Sequence, residues 1–138
     1  LTFYQAVKGV TAASHIVKPG GKILLAGACA EGAGAPEFCR MLKSFRSDRE
    51  FLERILKRPV EVDQWQLEKL ALVTTRKELL FYVPGLPDEY HATLWGKSFT
   101  SMQEAILALT VDLPAGALIA VIPDGPYVLA KVREAVTR

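Results

Sequence analysis

Val17-Lys18-Pro19-Gly20-Gly21-Lys22-Ile23-Leu24-Leu25 is the stretch on which the fold turns. Pro19 disfavours the helical conformation at Lys18, and the paired glycines admit positive φ, so a helix must stop here and a tight turn must follow. Residues 22 to 29, which come next, are almost uniformly apolar, the composition of a parallel strand covered on both faces. Residues 3 to 17, which come before, place Phe3, Ala6, Val7, Val10, Ala13 and Val17 at three- and four-residue steps. That spacing is one face of an amphipathic helix, with Thr2 as its N-cap. Helix, tight turn and buried strand open an α/β chain.

The same reading extends outward. The small-residue run Gly27-Ala28-Cys29-Ala30-Glu31-Gly32-Ala33-Gly34-Ala35 is a loop, and Pro36 opens a helix reaching residue 45. Asp48 is expected to cap a charged helix over residues 49 to 57, stopped by Arg58-Pro59, and Asp63 to cap another carrying Trp65, Leu67, Leu70, Ala71 and Val73. Residues 78 to 83 read as a second strand, Pro84-Gly85-Leu86-Pro87 as a turn and residues 101 to 109 as a helix. Residues 117 to 122 read as a third strand, and residues 127 to 138 as a closing helix from the spacing of Val128, Leu129 and Val132. Strands separated by helices predict a single α/β domain: a three-layer, Rossmann-like, mostly parallel sheet flanked by helices.

Composition bounds the function. The chain has 138 residues, 50% of them hydrophobic and 23% charged, which suits one globular core and excludes disorder. Its longest apolar run, the eight residues from Ile23 to Ala30, is far short of the ~20 that span a bilayer, so no membrane role is expected. A net charge of +2 without a Lys/Arg stripe gives no footprint for nucleic acid. Cys29 and Cys39 lack a second pair or a nearby His, and read as reduced packing thiols of a cytoplasmic protein. His15 and His91 are isolated, so no metal site is expected in this stretch. Arg40, Lys43, Arg46 and Arg49 interleave with Glu37, Asp48, Glu50 and Glu53 as a solvated face. The chain starts at Leu1, directly before a helix, and reads as a piece of a longer protein.

Chemistry concentrates at the first helix. Tyr4 and Lys8 stand four apart and Gln5 and Lys8 three apart, so their polar heads can converge at the positive end of the helix dipole. A phenol, an amide and an ammonium beside free backbone N–H groups can receive a carboxylate or a hydroxyl-bearing anion. On spacing alone, an ordinary solvated helix face is the better account. Gly32-Ala33-Gly34-Ala35-Pro36-Glu37 lacks the third Gly of a dinucleotide fingerprint and the Gly-Lys-Ser/Thr of a phosphate loop, so it reads as a sharp strand-to-helix turn. Trp65, between Gln64 and Gln66, is either a core anchor or an indole donor lining a cleft. The helix, Pro-Gly-Gly turn and strand are similar to a segment of Rossmann-like methyltransferases, but nothing here supplies their methyl-donor loop or its acidic partner.

Phe3-Tyr4-Gln5-Ala6-Val7-Lys8-Gly9, the Thr11-Ala12-Ala13 run, Val17-Lys18-Pro19-Gly20-Gly21 and a strand ending near Glu31-Gly32 and Gly34 carry a fuller resemblance. Together they resemble the C-terminal domain of the nickel-dependent lactate racemase family, whose members interconvert stereoisomers of 2-hydroxy acids. The resemblance covers essentially the whole chain, is strongest over residues 1 to 40 and weakens after Pro84. It implies that residues 1 to 138 are the substrate-side C-terminal domain of a two-domain racemase or epimerase. Its partners would be its own N-terminal domain and a small 2-hydroxy acid. The nickel pincer nucleotide, the catalytic acid and base and the metal ligands would all belong to that N-terminal domain, leaving this fragment inactive alone. Tyr4, Gln5, Lys8 and Trp65 would then line the substrate and cofactor cleft. Lys8 would hold the substrate carboxylate by charge, Gln5 and Tyr4 would hydrogen-bond the carboxylate or hydroxyl, and Trp65 would close the pocket. Only Leu1-Thr2 stands where the family has a strand and a Gly-Gly-x-Pro-x-Asp loop, and the motif does not choose among 2-hydroxy acids. The reading from a different class is a non-catalytic α/β binding module on the same scaffold.

Overall fold

The computed structural model describes residues 1 to 132. Helix α1 (Phe3–Ser14) begins at a capping box, in which Thr2 Oγ1 accepts from the Gln5 amide and Gln5 Oε1 accepts from the Thr2 amide. It stops three residues short of Val17: the amides of Ile16 and Val17 both turn back to the Ala13 carbonyl. Gly21 follows because a Cβ there would lie 2.6 Å from Val17 Cγ1. The turn delivers the chain into β1 (Lys22–Ala26).

Strands β1, β2 (Glu78–Tyr82) and β3 (Lys97–Ser98) form a parallel sheet in that order, with Ile23 opposite Leu79 and Leu25 opposite Phe81. Side chains alternate across a strand, so the two faces can be told apart. Ile23, Leu79 and Phe81 join Phe3, Val7 and Val10 of α1 in one core. Phe38 and Leu42 of α2 (Pro36–Ser44), Phe51 of α3 (Asp48–Ile55) and Leu67 and Leu70 of α4 (Gln64–Thr74) complete it. Phe3 sits at its centre, fully buried, 5.9 Å edge-on from Phe81 and 6.5 Å from Phe38. After the four-residue helix α5 (Asp88–His91), helix α6 (Met102–Thr110) lies against β1 and β2. There Leu80 and Ala105 are buried, and Lys22 Nζ donates to the Ala108 carbonyl at 2.8 Å. Helices, sheet and helix make the three layers.

Several expected details differ. Residues 117 to 122 are apolar enough for a strand but pair with no strand here, and Leu118 is 97% exposed. The third strand is instead Lys97–Ser98, too short to show a period in the sequence. Strand propensity becomes a strand only where an edge receives it. Tyr127 ends a 3-10 turn (Gly125–Tyr127), residues 128 to 132 are not helical, and the rest of the expected closing helix lies outside the described residues. Strand β1 ends at Ala26 rather than at residue 29, where Cys29 adopts φ 46°. Ser47, not Asp48, caps α3, its Oγ accepting from the Glu50 amide. Asp48 reaches across instead: its Oδ2 accepts from Thr74 Oγ1 at 2.6 Å, tying α3 to α4. No helix of the described residues is long and apolar enough to cross a membrane.

This packing predicts opposite outcomes for two large-to-small changes. Phe3→Ala is expected to cost about 3–5 kcal/mol in urea unfolding followed by circular dichroism. Leu118→Ala is expected to stay within about 0.5 kcal/mol, and a loss comparable to that of Phe3→Ala would show that residues 117 to 122 are packed.

Candidate functional site

The free amides that would make the start of α1 an anion receptor are all engaged. Phe3 N donates to the Gly32 carbonyl and Tyr4 N to the Ala33 carbonyl, both at 2.9 Å. Gln5 N donates to Thr2 Oγ1 and Ala6 N to the Thr2 carbonyl. The small-residue loop after β1 therefore serves as the lid of this helix end rather than as a ligand loop. Gly34, at φ +135°, lets it lie there, since a Cβ would sit 2.8 Å from Tyr4 Cβ.

Tyr4 is gripped from four sides. Its Oη donates to Asp63 Oδ1 at 3.0 Å, and its carbonyl accepts from Gln66 Nε2 at 3.1 Å. Its ring meets Phe38 edge-on at 5.2 Å and Trp65 edge-on at 6.3 Å. Burial first, and then the hydrogen bond and charge of Asp63, hold the Tyr4 phenol above its ordinary pKa of 10.0. Asp63 does not cap α4 with its side chain as the sequence suggests: it stands at φ 64° with no cap bond, its carboxylate directed to Tyr4.

Lys8 and Trp65 meet across the α1/α4 seam. They line one hollow of about 240 Å³, together with Thr11, His15, Gln66 and Lys69, and with Val128 and Leu129 from the C-terminal segment. Lys8 Nζ lies 5.9 Å from the centre of the Tyr4 ring, and Lys69 Nζ 4.8 Å from that of Trp65. Two ammoniums and an indole, with no carboxylate among the described residues that line the hollow, suit an anion that carries an apolar part. Trp65 is 44% exposed, which settles it as a wall rather than a core anchor. Gln5 does not line the hollow, because its Oε1 is turned back to Thr2.

The remaining candidates lie elsewhere. His91 is held between Ser98 Oγ and the Leu86 carbonyl, bracing the loop around α5. Cys29 is buried, and burial pushes its thiol pKa up, while Cys39 Sγ donates to the Gly34 carbonyl at 3.4 Å. Arg40 pairs with Glu61 and Lys43 with Glu89 on the surface. Among the described residues, no three His, Cys, Asp or Glu side chains gather as a metal site. Asp63 and Gln66, which hold Tyr4 by its hydroxyl and its carbonyl, are not among the residues that sequence spacing singles out. Gln66 had a signal, an amide in a stretch whose neighbours Leu67, Leu70 and Ala71 are core; Asp63 resembled an ordinary cap.

A family model described as the lactate racemase C-terminal domain matches residues 2–130. Curated lactate racemases of Thermoanaerobacterium thermosaccharolyticum and Lactiplantibacillus plantarum are 29% and 28% identical over 131 residues, covering 93% of this chain. The chain spans 31% of the length of each of these relatives. The solved structure of the lactate racemase apoprotein from T. thermosaccharolyticum is similar, with a TM-score of 0.77 and 29% identity, over 96% of this chain and 32% of that one.

The clasp on Tyr4 has a pH signature. A raised phenol pKa means that the folded state keeps its proton longer, so this contribution to stability is complete below pH 10.0 and is lost as pH rises through the folded value. Urea midpoints measured from about pH 9 to about pH 11 should fall less steeply for Tyr4→Phe than for the native chain. Equal slopes would mean that Tyr4 is not held this way.

Proposed function

The chain belongs to the family of lactate racemase C-terminal domains, and from that premise we propose that it forms the substrate-facing wall of a racemase or epimerase acting on lactate or a related 2-hydroxy acid. The observation that carries this reading is the meeting of Lys8 and Trp65, from different helices, in one hollow beside the Tyr4 ring. In it, Lys8 Nζ binds the substrate carboxylate and Trp65 excludes water, while the Tyr4 phenol beside it orients the substrate.

The described residues offer no donor set for nickel. In this reading the nickel pincer nucleotide, which would supply the hydride chemistry of this family, belongs with the catalytic acid and base to the N-terminal domain of a longer cytoplasmic enzyme. This domain alone is inactive, and that N-terminal domain is its partner.

The test uses the full-length protein with its mature cofactor. A carboxylate contact made with charge is worth ~1.5–3 kcal/mol, so Lys8→Ala should lower kcat/KM for the best 2-hydroxy acid about ten- to a hundredfold. Racemisation at native efficiency would take Lys8 out of the site.

A further inference from the structure

The first turn of α4 is shaped around one residue of another helix. Asp63 and Gln66 both hold Tyr4, by its hydroxyl and by its main-chain carbonyl, and Trp65 between them packs edge-on against its ring. Two features of this turn run against local preference. Asp63 is a non-glycine residue at φ 64°, ψ 3°, at an N-cap position where its side chain could have accepted a helix amide. Gln66 is fully buried, and its Oε1 has no hydrogen-bond partner among the described residues. Local stability would favour a capping Asp and an apolar residue at these places. The departures share one result, the fixed position of Tyr4, and strain of this kind gathers where a side chain must be held in place.

We propose that Asp63 is a positioning residue for the racemase reaction, acting through Tyr4: it engages the phenol proton, so that the Tyr4 oxygen meets the substrate hydroxyl as an acceptor only. This rests on the reading that Tyr4 faces the substrate. With its one proton committed to Asp63 Oδ1 at 3.0 Å, Oη keeps its lone pairs free and has no second proton for a carboxylate. Work at the site then divides. Lys8 takes the carboxylate and Tyr4 takes the carbinol O–H, which orients the carbon that changes hand. The proton stays on Oη throughout. The charged groups beside the phenol are Asp63, which accepts its hydrogen bond, and Lys8, which lies toward its ring.

The test is a double-mutant cycle in the full-length enzyme with its cofactor, using Tyr4→Phe, Asp63→Gly and the double variant, with Asp63→Asn beside them. Gly and Asn both tolerate the left-handed backbone, so these variants keep the turn. Asp63→Gly should lower kcat/KM about tenfold in the native background and less than about twofold in the Tyr4→Phe background, with Asp63→Asn falling between native and Asp63→Gly. Independently of activity, NMR of chains labelled at tyrosine Cζ should show Tyr4 ionising at lower pH in Asp63→Gly than in the native protein. An equal Asp63→Gly loss in both backgrounds, or an unmoved Tyr4 titration, overturns the proposal. If Tyr4→Phe racemises at the native rate while the titration still moves, the clasp exists but Tyr4 does not serve the substrate, and the functional reading of Tyr4 falls with the proposal.

Discussion

The amides of Phe3 and Tyr4 donate to the carbonyls of Gly32 and Ala33, and the placement of the site follows from that pair of backbone bonds. They seat the start of α1 against the loop leaving β1, at the carboxyl end of the parallel sheet, where α/β folds usually place their ligands. Phe3 is thereby driven into the core between Phe38 and Phe81, while Tyr4, one residue on, is turned toward α4. With Thr2 taking the amides of Gln5 and Ala6, these bonds saturate the helix end, so any anion held here must be held by side chains rather than by the helix dipole.

That shifts the electrostatic burden to Lys8 and Lys69. Neither takes part in an ion pair among the described residues, whereas Arg40, Lys43, Arg54 and Lys97 are paired with carboxylates on the surface. Exposed pairs of that kind contribute little, at most about 1 kcal/mol. An ammonium resting against an aromatic ring keeps its charge available for a ligand. On the function proposed above, the α1/α4 seam is where a substrate carboxylate would be attracted, with the rest of a longer chain enclosing it.

Much of the architecture was legible because it is local. Helices α1, α2, α3 and α4 and strands β1 and β2 each carry a period, a cap or a breaker within a few residues, and the Pro-Gly-Gly turn could only join a helix to a strand. Lys97–Ser98 was not legible, because two residues carry no period, and the apolar residues 117 to 122 misled because pairing depends on an available edge. The family resemblance points to Tyr4, Lys8 and Trp65; Lys8 and Trp65 line one hollow, and the Tyr4 ring stands beside it, 5.9 Å from Lys8 Nζ and 6.3 Å from the Trp65 ring. The resemblance also points to Gln5, whose side chain is partly taken by the capping box of its own helix.

Residue order alone settled the fold class, the amphipathic face of α1 and the presence of a polar trio on its first turns, because helix and strand periodicity are written into neighbouring residues. Tertiary structure alone decided that Asp63 serves Tyr4 instead of its own helix, that Gln66 reaches a carbonyl 62 positions away, and that Trp65 opens onto the hollow beside Lys8. The reason is physical: a hydrogen bond or a ring contact between distant residues depends on how two helices are rotated against each other. That rotation is set by the packing of the whole core around Phe3, which no local spacing encodes.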